Sequence, residues 1–233
     1  MKPVGMIGGL GPESTVDYYR CLVAEYRDLK KDESYPPILI NSIDLQKARQ
    51  LVEQKKYAEL TDYLIEEIER LARAGAVLAF LSANTPHIVF DELQPRSPLP
   101  LVSIVEATRE HAKARGYRCL GLFGTRFTME APFFFQAFEK AGMSLVVPNS
   151  QEQGYLHEKY LDELVKGIFL PETRSRLLTI AESLKAREHI DALILGGTEL
   201  PLLLTEDVRA PVPFLDTTRI HVKAVIARWL EMQ

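Results

Sequence analysis

Two short polar turns hold the side chains of this chain that are best suited to binding chemistry. Asn84 and Thr85 follow one apolar run, and Thr198 and Glu199 follow another. Amide, hydroxyl and backbone N–H donors suit an α-carboxylate, whereas a carboxylate such as Glu199 suits an ammonium group. A cap on the next helix is the alternative role for Asn and Thr after a strand. Because the arrangement occurs twice, we favour an amino-acid pocket.

Two further turns could bind an anion. Gly9 lies in a glycine-rich turn, 8–11, which follows a predicted strand and precedes a predicted helix, so its backbone N–H groups could bind a carboxylate. The turn lacks the third glycine of a dinucleotide fingerprint, and Asp44 comes too late to supply its acid. A purely structural turn remains open here. Thr125 and Thr128 form a comparable turn after the apolar run 119–123.

Metal and classical nucleophile chemistry are not indicated. The histidines are scattered, without the four-residue helical spacing of a zinc site; they are His87, His111, His157, His189 and His221. We expect most to be surface or structural residues. Ser82 lies outside any nucleophile elbow, and strand alternation places it opposite residue 83. We therefore expect no metal and no cofactor.

Short apolar runs alternate with segments of helical periodicity along the chain, which favours parallel α/β layers. The expected strands are 4–7, 38–40, 77–81, 101–104, 120–123, 144–147, 193–195 and 212–215. Segment 4–9 resembles segment 120–125, and the turn at Ala83 resembles the turn at Gly197, at nearly the same offset. This pattern predicts two similar Rossmann-like α/β halves.

The prolines suggest where the halves meet. Prolines at 95, 98, 100, 211 and 213 predict one domain of residues 1–98 plus 212–233 and another of 99–211. In such sheets, ligands bind beyond the carboxyl ends of the strands. All four polar turns would lie there, in an interdomain cleft.

Composition restricts the partners. A formal net charge of −4, without a block of Lys or Arg, argues against a nucleic-acid or anionic-membrane partner. Cys21 and Cys119 lie in apolar patterns, as expected of buried free thiols in a reducing cytoplasm. The first apolar run is too short for a signal peptide. We expect a cytoplasmic protein with a small ligand.

These segments together resemble the aspartate/glutamate racemase family. In that family the two turns read Cys-Asn-Thr and Gly-Cys-Thr-Glu, and the cysteines face each other across the α-carbon of the substrate; here Ala83 and Gly197 stand at those positions. Segments 124–129 and 216–218 resemble further family motifs. The resemblance implies cofactor-independent α-proton abstraction and reprotonation, and a homodimer. It implies substrate-binding roles for Gly9, Asn84, Thr85, Thr125, Thr128, Thr198 and Glu199.

Alanine and glycine cannot transfer protons. A positioned acid or base is worth about 10² to 10⁴ in rate, so the loss of both thiols predicts an inactive racemase that binds an acidic amino acid or dicarboxylate. An active-site variant of a genuine racemase, made to trap a ligand, is an alternative, as is a scaffold with a vestigial cleft. Lys47, Arg49 and Arg126 are equal candidates for binding the distal carboxylate.

Overall fold

The structure, a computed structural model, describes residues 1–205 and 210–233. Strands alternate with helices through the described chain. The strands are β1 (Val4–Gly8), β2 (Ile38–Ser42), β3 (Leu78–Leu81), β4 (Leu101–Val102), β5 (Cys119–Phe123), β6 (Ser144–Val146), β7 (Ala192–Leu195) and β8 (Phe214–Asp216). The helices are α1 (Pro12–Lys30), α2 (Leu45–Glu53), α3 (Tyr57–Arg73), α4 (Phe90–Arg96), α5 (Ile104–Ala114), α6 (Arg126–Glu130), α7 (Pro132–Glu139), α8 (Ser150–Asp162), α9 (Pro171–Glu188), α10 (Leu200–Leu203) and α11 (Thr217–Glu231), with 3₁₀ turns at Thr85–Val89 and Leu164–Lys166.

The strands form two parallel sheets of the same topology. Their orders are β2-β1-β3-β4 and β6-β5-β7-β8, and every pairing is parallel. Three of the four central strands, β1, β3 and β7, are buried along their whole length, as expected of parallel strands covered by helices on both faces. This result confirms the α/β class and the two similar halves.

The chain divides into two compact units, residues 1–107 with 218–233 and residues 108–217. Each unit has its own core. In the first, Tyr18 and Leu22 of α1 pack with Phe80 of β3 and Trp229 of α11, and the Trp229 indole N–H donates to the Lys2 carbonyl at 2.9 Å. The core of the second unit includes Phe123, Leu156, Tyr160, Leu177 and Leu193.

These boundaries differ from the expected 98/99 and 211/212. β4 pairs with β3, so the first unit continues past residue 98. β8 pairs with β7, so the last strand belongs to the second sheet and only α11 returns to the first unit. The boundary between residues 107 and 108 falls inside α5, a helix that contains no glycine or proline. Pro211 and Pro213 precede a strand instead of marking the crossing.

Cys21 and Cys119 form no disulfide, as expected, but they are half-buried and not fully buried. Cys21 Sγ lies 3.8 Å from Asp17 Oδ1 on the side of α1, and Cys119 Sγ lies 3.7 Å from the Glu188 carbonyl oxygen. Both residues sit beside the apolar cores and not inside them. None of the helices in the described ranges is long and apolar enough to cross a membrane.

Candidate functional site

The first turn begins where β3 ends. Ser82 is fully buried, and its hydroxyl donates to the Ile7 carbonyl of β1 at 3.0 Å, so it ties the turn to the sheet. Ser14 of α1 donates to the Ser82 carbonyl at 3.3 Å. Ala83 is 6% exposed and carries only a methyl group. A proton-transfer group is therefore absent from residue 83 itself, and the Ser82 hydroxyl is used in the sheet.

A buried histidine anchors this turn. Nδ1–H of His87 donates to the Ala83 carbonyl at 3.0 Å, and Nε2 accepts the backbone N–H of Ile104 at 3.3 Å. These partners assign the tautomer, because a carbonyl only accepts and an N–H only donates. Burial, with a smaller contribution from His221, lowers the pKa of His87 to about 3. His87 is therefore neutral and structural at physiological pH.

His221 of α11 has the same character. Its Nδ1 accepts the Tyr18 hydroxyl at 2.9 Å and its Nε2–H donates to the Val102 carbonyl at 3.0 Å. Burial lowers the pKa of His221 to about 4. His87 and His221 are thus satisfied structural histidines, as expected from the scattered histidine pattern.

Asn84 precedes the 3₁₀ turn as its N-cap residue and is 2% exposed. Its backbone carbonyl accepts the His87 N–H at 3.0 Å, whereas its side chain makes no capping hydrogen bond. Thr85 follows and is half-buried. The capping role that competes with ligand binding is therefore not realised by the Asn84 side chain.

The glycine-rich turn before α1 has a clear packing role. The Gly9 N–H donates to Thr15 Oγ1 at 2.8 Å, and its φ of 77° suits glycine. A Cβ at Gly9 would lie 2.7 Å from the Ile43 backbone nitrogen. The exposed Glu13 occupies the first turn of α1, where an anion would bind. These contacts favour the structural role over the carboxylate site; a carboxylate contact at Gly9 stays a prediction.

The hydroxyl turn after β5 caps a helix. Thr125 Oγ1 accepts the Thr128 backbone N–H at 3.3 Å, and the two hydroxyl oxygens lie 3.2 Å apart. Thr125 is 7% exposed and Thr128 is fully buried. The capping alternative is thus realised here, unlike at Asn84.

The second turn begins where β7 ends and leads into α10. Thr198 and Glu199 are each 1% exposed, and the Thr198 hydroxyl donates to Glu199 Oε2 at 3.0 Å. The Tyr160 hydroxyl, from α8, donates to the same carboxylate oxygen. Two hydroxyl donors on one oxygen fix the orientation of the Glu199 side chain.

The Tyr160 ring occupies the space in front of Gly197. A Cβ built on Gly197 would lie 2.9 Å from Tyr160 Cζ and 3.0 Å from its hydroxyl oxygen, with Cε2 closer still. Real Cβ atoms do not make such approaches, so a side chain at residue 197 would displace the ring. Burial, followed by the Glu199 charge, raises the pKa of Tyr160 far above its usual value. The phenol therefore stays protonated and acts as a donor.

Sequence reasoning missed Tyr160. It lies four residues after Leu156 on α8, a spacing that predicts only a core-facing helix side. No motif connects it to residue 197. Gly197 itself was the available signal, because a glycine in a polar turn leaves space that another side chain must fill.

Thr217 and Thr218 follow the last strand, and their hydroxyl groups differ in hydrogen bonding. The Thr217 hydroxyl donates to the Leu195 carbonyl at 2.8 Å, at the end of β7. Thr218 is fully buried, yet its hydroxyl has no hydrogen-bond partner within residues 1–205 and 210–233. A buried hydroxyl of this kind is costly unless something else satisfies it.

The three candidate cations for a distal carboxylate each have an intramolecular partner. Lys47 Nζ lies 3.8 Å from the centroid of the Tyr63 ring. Arg49 pairs with Glu53 at 2.6 Å, and Arg126 lies 3.8 Å from the Glu130 carboxylate. The geometry does not distinguish between them. The described part of the chain also contains no cluster of three or more His, Cys, Asp or Glu side chains that could hold a metal ion.

Comparison with known proteins agrees with this fold. A family profile for Asp/Glu/hydantoin racemases matches residues 7–225, so the chain belongs to that family. The broad specificity amino-acid racemase RacX of Bacillus subtilis (strain 168) is 21% identical over 240 residues, with 99% of each chain covered.

Two solved structures are closely similar. An aspartate racemase homologue from Pyrococcus horikoshii OT3 is 35% identical, with a TM-score of 0.82 over 98% of this chain and 99% of that one. A Yersinia pestis protein provisionally named an Asp/Glu racemase is 31% identical, with a TM-score of 0.88 over 99% of this chain and 100% of that one. Both likenesses extend over nearly the whole chain.

Proposed function

We propose that this protein binds a small amino acid whose side chain carries a second carboxylate. The protein does not racemise this ligand through paired thiols. Cofactor-independent racemisation needs a base on one face of the α-carbon and an acid on the other. Ala83 offers a methyl group and Gly197 offers no side chain. Each turn nevertheless keeps the polar residues of the family motif beside the missing thiol.

The observation that carries this proposal is the Tyr160 ring beside Gly197. Its atoms lie within 3.0 Å of the place of a residue-197 Cβ. Tyr160 is only 7% exposed and is a member of the core of the second unit. This packing supports a chain whose second turn is built around glycine. It argues against a racemase from which a cysteine was trimmed, because trimming would leave a void.

The ligand-binding roles follow from the donors and acceptors of the two turns. Asn84, Thr85 and Thr198 supply donors for an α-carboxylate. Glu199 supplies the acceptor for the ammonium group. We propose these contacts on the strength of the family motif and of the burial of Asn84, Thr198 and Glu199 at the strand ends.

The test combines calorimetry with chiral chromatography. We expect saturable binding of aspartate or glutamate, and no second enantiomer after prolonged incubation in preparations free of host racemase. Removing one partner of a charge-assisted hydrogen bond costs about 1.5 to 3 kcal/mol, so Asn84→Ala and Thr198→Val should each weaken binding roughly ten- to hundredfold. Thr179→Val, on the exposed face of α9, is the matched control and should leave affinity unchanged. Formation of the opposite enantiomer by the unmodified chain, or unchanged affinity in both site variants, would contradict the proposal.

We also propose a cytoplasmic homodimer. The two free thiols suit a reducing compartment, and the family resemblance suggests the dimer. The aromatic helix α7 supports it only weakly, because Phe134 and Phe138 are fully buried and Phe133 and Phe135 are half-buried. Light scattering at micromolar concentration tests the assembly, and a monomeric mass would refute it.

A further inference from the structure

Gly197 cannot make room for a side chain by moving its backbone. The Gly196 N–H donates to the Phe123 carbonyl at 2.7 Å, and the Leu200 N–H donates to the Gly197 carbonyl at 3.0 Å. A Cβ at Gly196 would lie 2.8 Å from that same Phe123 carbonyl, so the turn already packs tightly against β5. Any side chain at residue 197 must therefore displace Tyr160.

Tyr160 is itself held at both ends. Its ring belongs to the apolar core that α8 forms with α9 and β7. Its hydroxyl donates to Glu199 Oε2, the oxygen that also accepts the Thr198 hydroxyl. Since the phenol stays protonated, this donor is present throughout the physiological pH range. The Tyr160 ring and the Glu199 carboxylate therefore hold each other in position.

We propose that Tyr160 is a positioning residue that makes the pocket selective for ligands carrying an ammonium group. Its ring takes the volume of a residue-197 side chain, and its hydroxyl holds the Glu199 carboxylate in the orientation that an ammonium group meets. This inference rests on the proposed amino-acid binding function. Such a pocket distinguishes an α-amino acid from the dicarboxylate of the same length that lacks the amino group.

The first test removes the hydroxyl and keeps the ring. Calorimetry would compare the unmodified chain with Tyr160→Phe, using aspartate and succinate, and then glutamate and glutarate. We expect Tyr160→Phe to bind the better amino acid about tenfold or more weakly, and the matching dicarboxylate with unchanged affinity. A merely structural role would weaken both ligands equally. An equal loss for both, or no loss for either, would overturn the selectivity.

Failure of this inference is distinguishable from failure of the proposed function. If the unmodified chain binds no amino acid, the proposed function fails and the ammonium selectivity fails with it. If the unmodified chain binds aspartate or glutamate and Tyr160→Phe shows no difference between amino acid and dicarboxylate, only the inference fails.

The second test needs no ligand. Gly197→Ala should lower the melting temperature by about 3 to 8 °C, because a methyl group is forced against a held ring. In a Tyr160→Leu background the same substitution should cost little, since the ring is gone. Gly154→Ala, on the same helix as Tyr160, is the control: its Cβ would meet only Arg126 Nη2 at 3.8 Å. It should leave the melting temperature unchanged or raise it slightly. If Gly197→Ala lowered the melting temperature equally in both backgrounds, the Tyr160 ring and a residue-197 side chain would not compete for the same space.

Discussion

The two polar turns occupy equivalent places in two sheets of the same topology, yet the space beside residues 83 and 197 is filled differently. At Ala83 the side chain is a methyl group, and two side chains hold the turn: the Ser82 hydroxyl donates to the Ile7 carbonyl, and His87 Nδ1–H donates to the Ala83 carbonyl. At Gly197 the side chain is absent altogether, and an aromatic ring from another helix fills its place. The first turn therefore carries a small side chain of its own, whereas the second depends on the Tyr160 ring to fill its volume.

This difference determines what a restored thiol would meet. A Cys at residue 83 adds one sulfur atom to a Cβ that the turn already accommodates. A Cys at residue 197 adds the Cβ as well, at a position that Tyr160 excludes. The second turn therefore presents the greater obstacle to restoring family chemistry.

The largest effect should appear on restoring both thiols. The sequence alone suggests that Ala83→Cys with Gly197→Cys would suffice for two-face proton exchange. Because Tyr160 blocks residue 197, we expect the double variant to exchange on one face at most. Adding Tyr160→Leu should raise exchange on the second face by at least about 10², the smaller value for one positioned acid or base. NMR in D₂O measures this, and equal exchange in the double and triple variants would contradict the blocking role of the ring.

Acid should expose a second asymmetry, since the first unit contains two buried neutral histidines. Their folded pKa values, about 3 for His87 and about 4 for His221, lie below that of free histidine, so the unfolded chain binds more protons between about pH 4 and 6.5. The free energy of unfolding is therefore unaffected by these groups above about pH 6.5. It falls below that pH by up to about 1.4 kcal/mol per pH unit for each histidine.

Urea denaturation between pH 4.5 and 7.5 would measure this dependence. His87→Gln should flatten the slope by roughly one proton, whereas Thr179→Val, which changes an exposed, non-titrating residue of α9, should leave it unchanged. A slope that His87→Gln does not alter would show that the histidine is charged in the folded state.

Stability should rank the two turns directly. Gly197→Cys is expected to cost about 1 to 3 kcal/mol of unfolding free energy through overpacking, and Ala83→Cys under about 1 kcal/mol. Chemical denaturation of the two single variants provides the comparison. The reverse order would mean that the Tyr160 ring moves aside at little cost.

The smallest effect concerns two adjacent threonines. Thr217→Val removes the hydrogen bond to the Leu195 carbonyl and should cost about 0.5 to 1.5 kcal/mol. Thr218→Val replaces a buried hydroxyl that lacks a partner in the described chain, and should be neutral or stabilising. If Thr218 contacts the ligand, the same variant should also bind aspartate more weakly in calorimetry. A loss of stability at Thr218 as large as at Thr217 would contradict this difference.

Much of the fold was predictable from the sequence, and the reasons are local. Continuous apolar runs such as Val4–Gly8 predict buried parallel strands, and the recurrence of segment 4–9 at 120–125 predicts the repeated topology. The compact units differ from the domains that the prolines predict, because the chain passes between the units within α5 and at the start of α11.

Only part of the candidate site could be predicted from the sequence, because Tyr160 lies far from Gly197 along the chain. The motif positions of Ala83 and Gly197 follow from short-range patterns. Contacts between Tyr160 and Gly197 depend on how α8 packs against the end of β7, and no spacing rule encodes that contact. Gly9 shows the converse case: its pattern suggested an anion site, but its N–H is bonded to Thr15.

Solvent deuterium exchange in the unmodified chain tests the central claim most directly. The chain would be saturated with its best amino-acid ligand in D₂O, and the α-proton signal would be followed by NMR for days beside a protein-free control. The account predicts bound ligand whose α-proton is lost no faster than in the control. Faster loss of the α-proton than in the control would show that a base other than a thiol reaches the α-carbon, and would contradict the account.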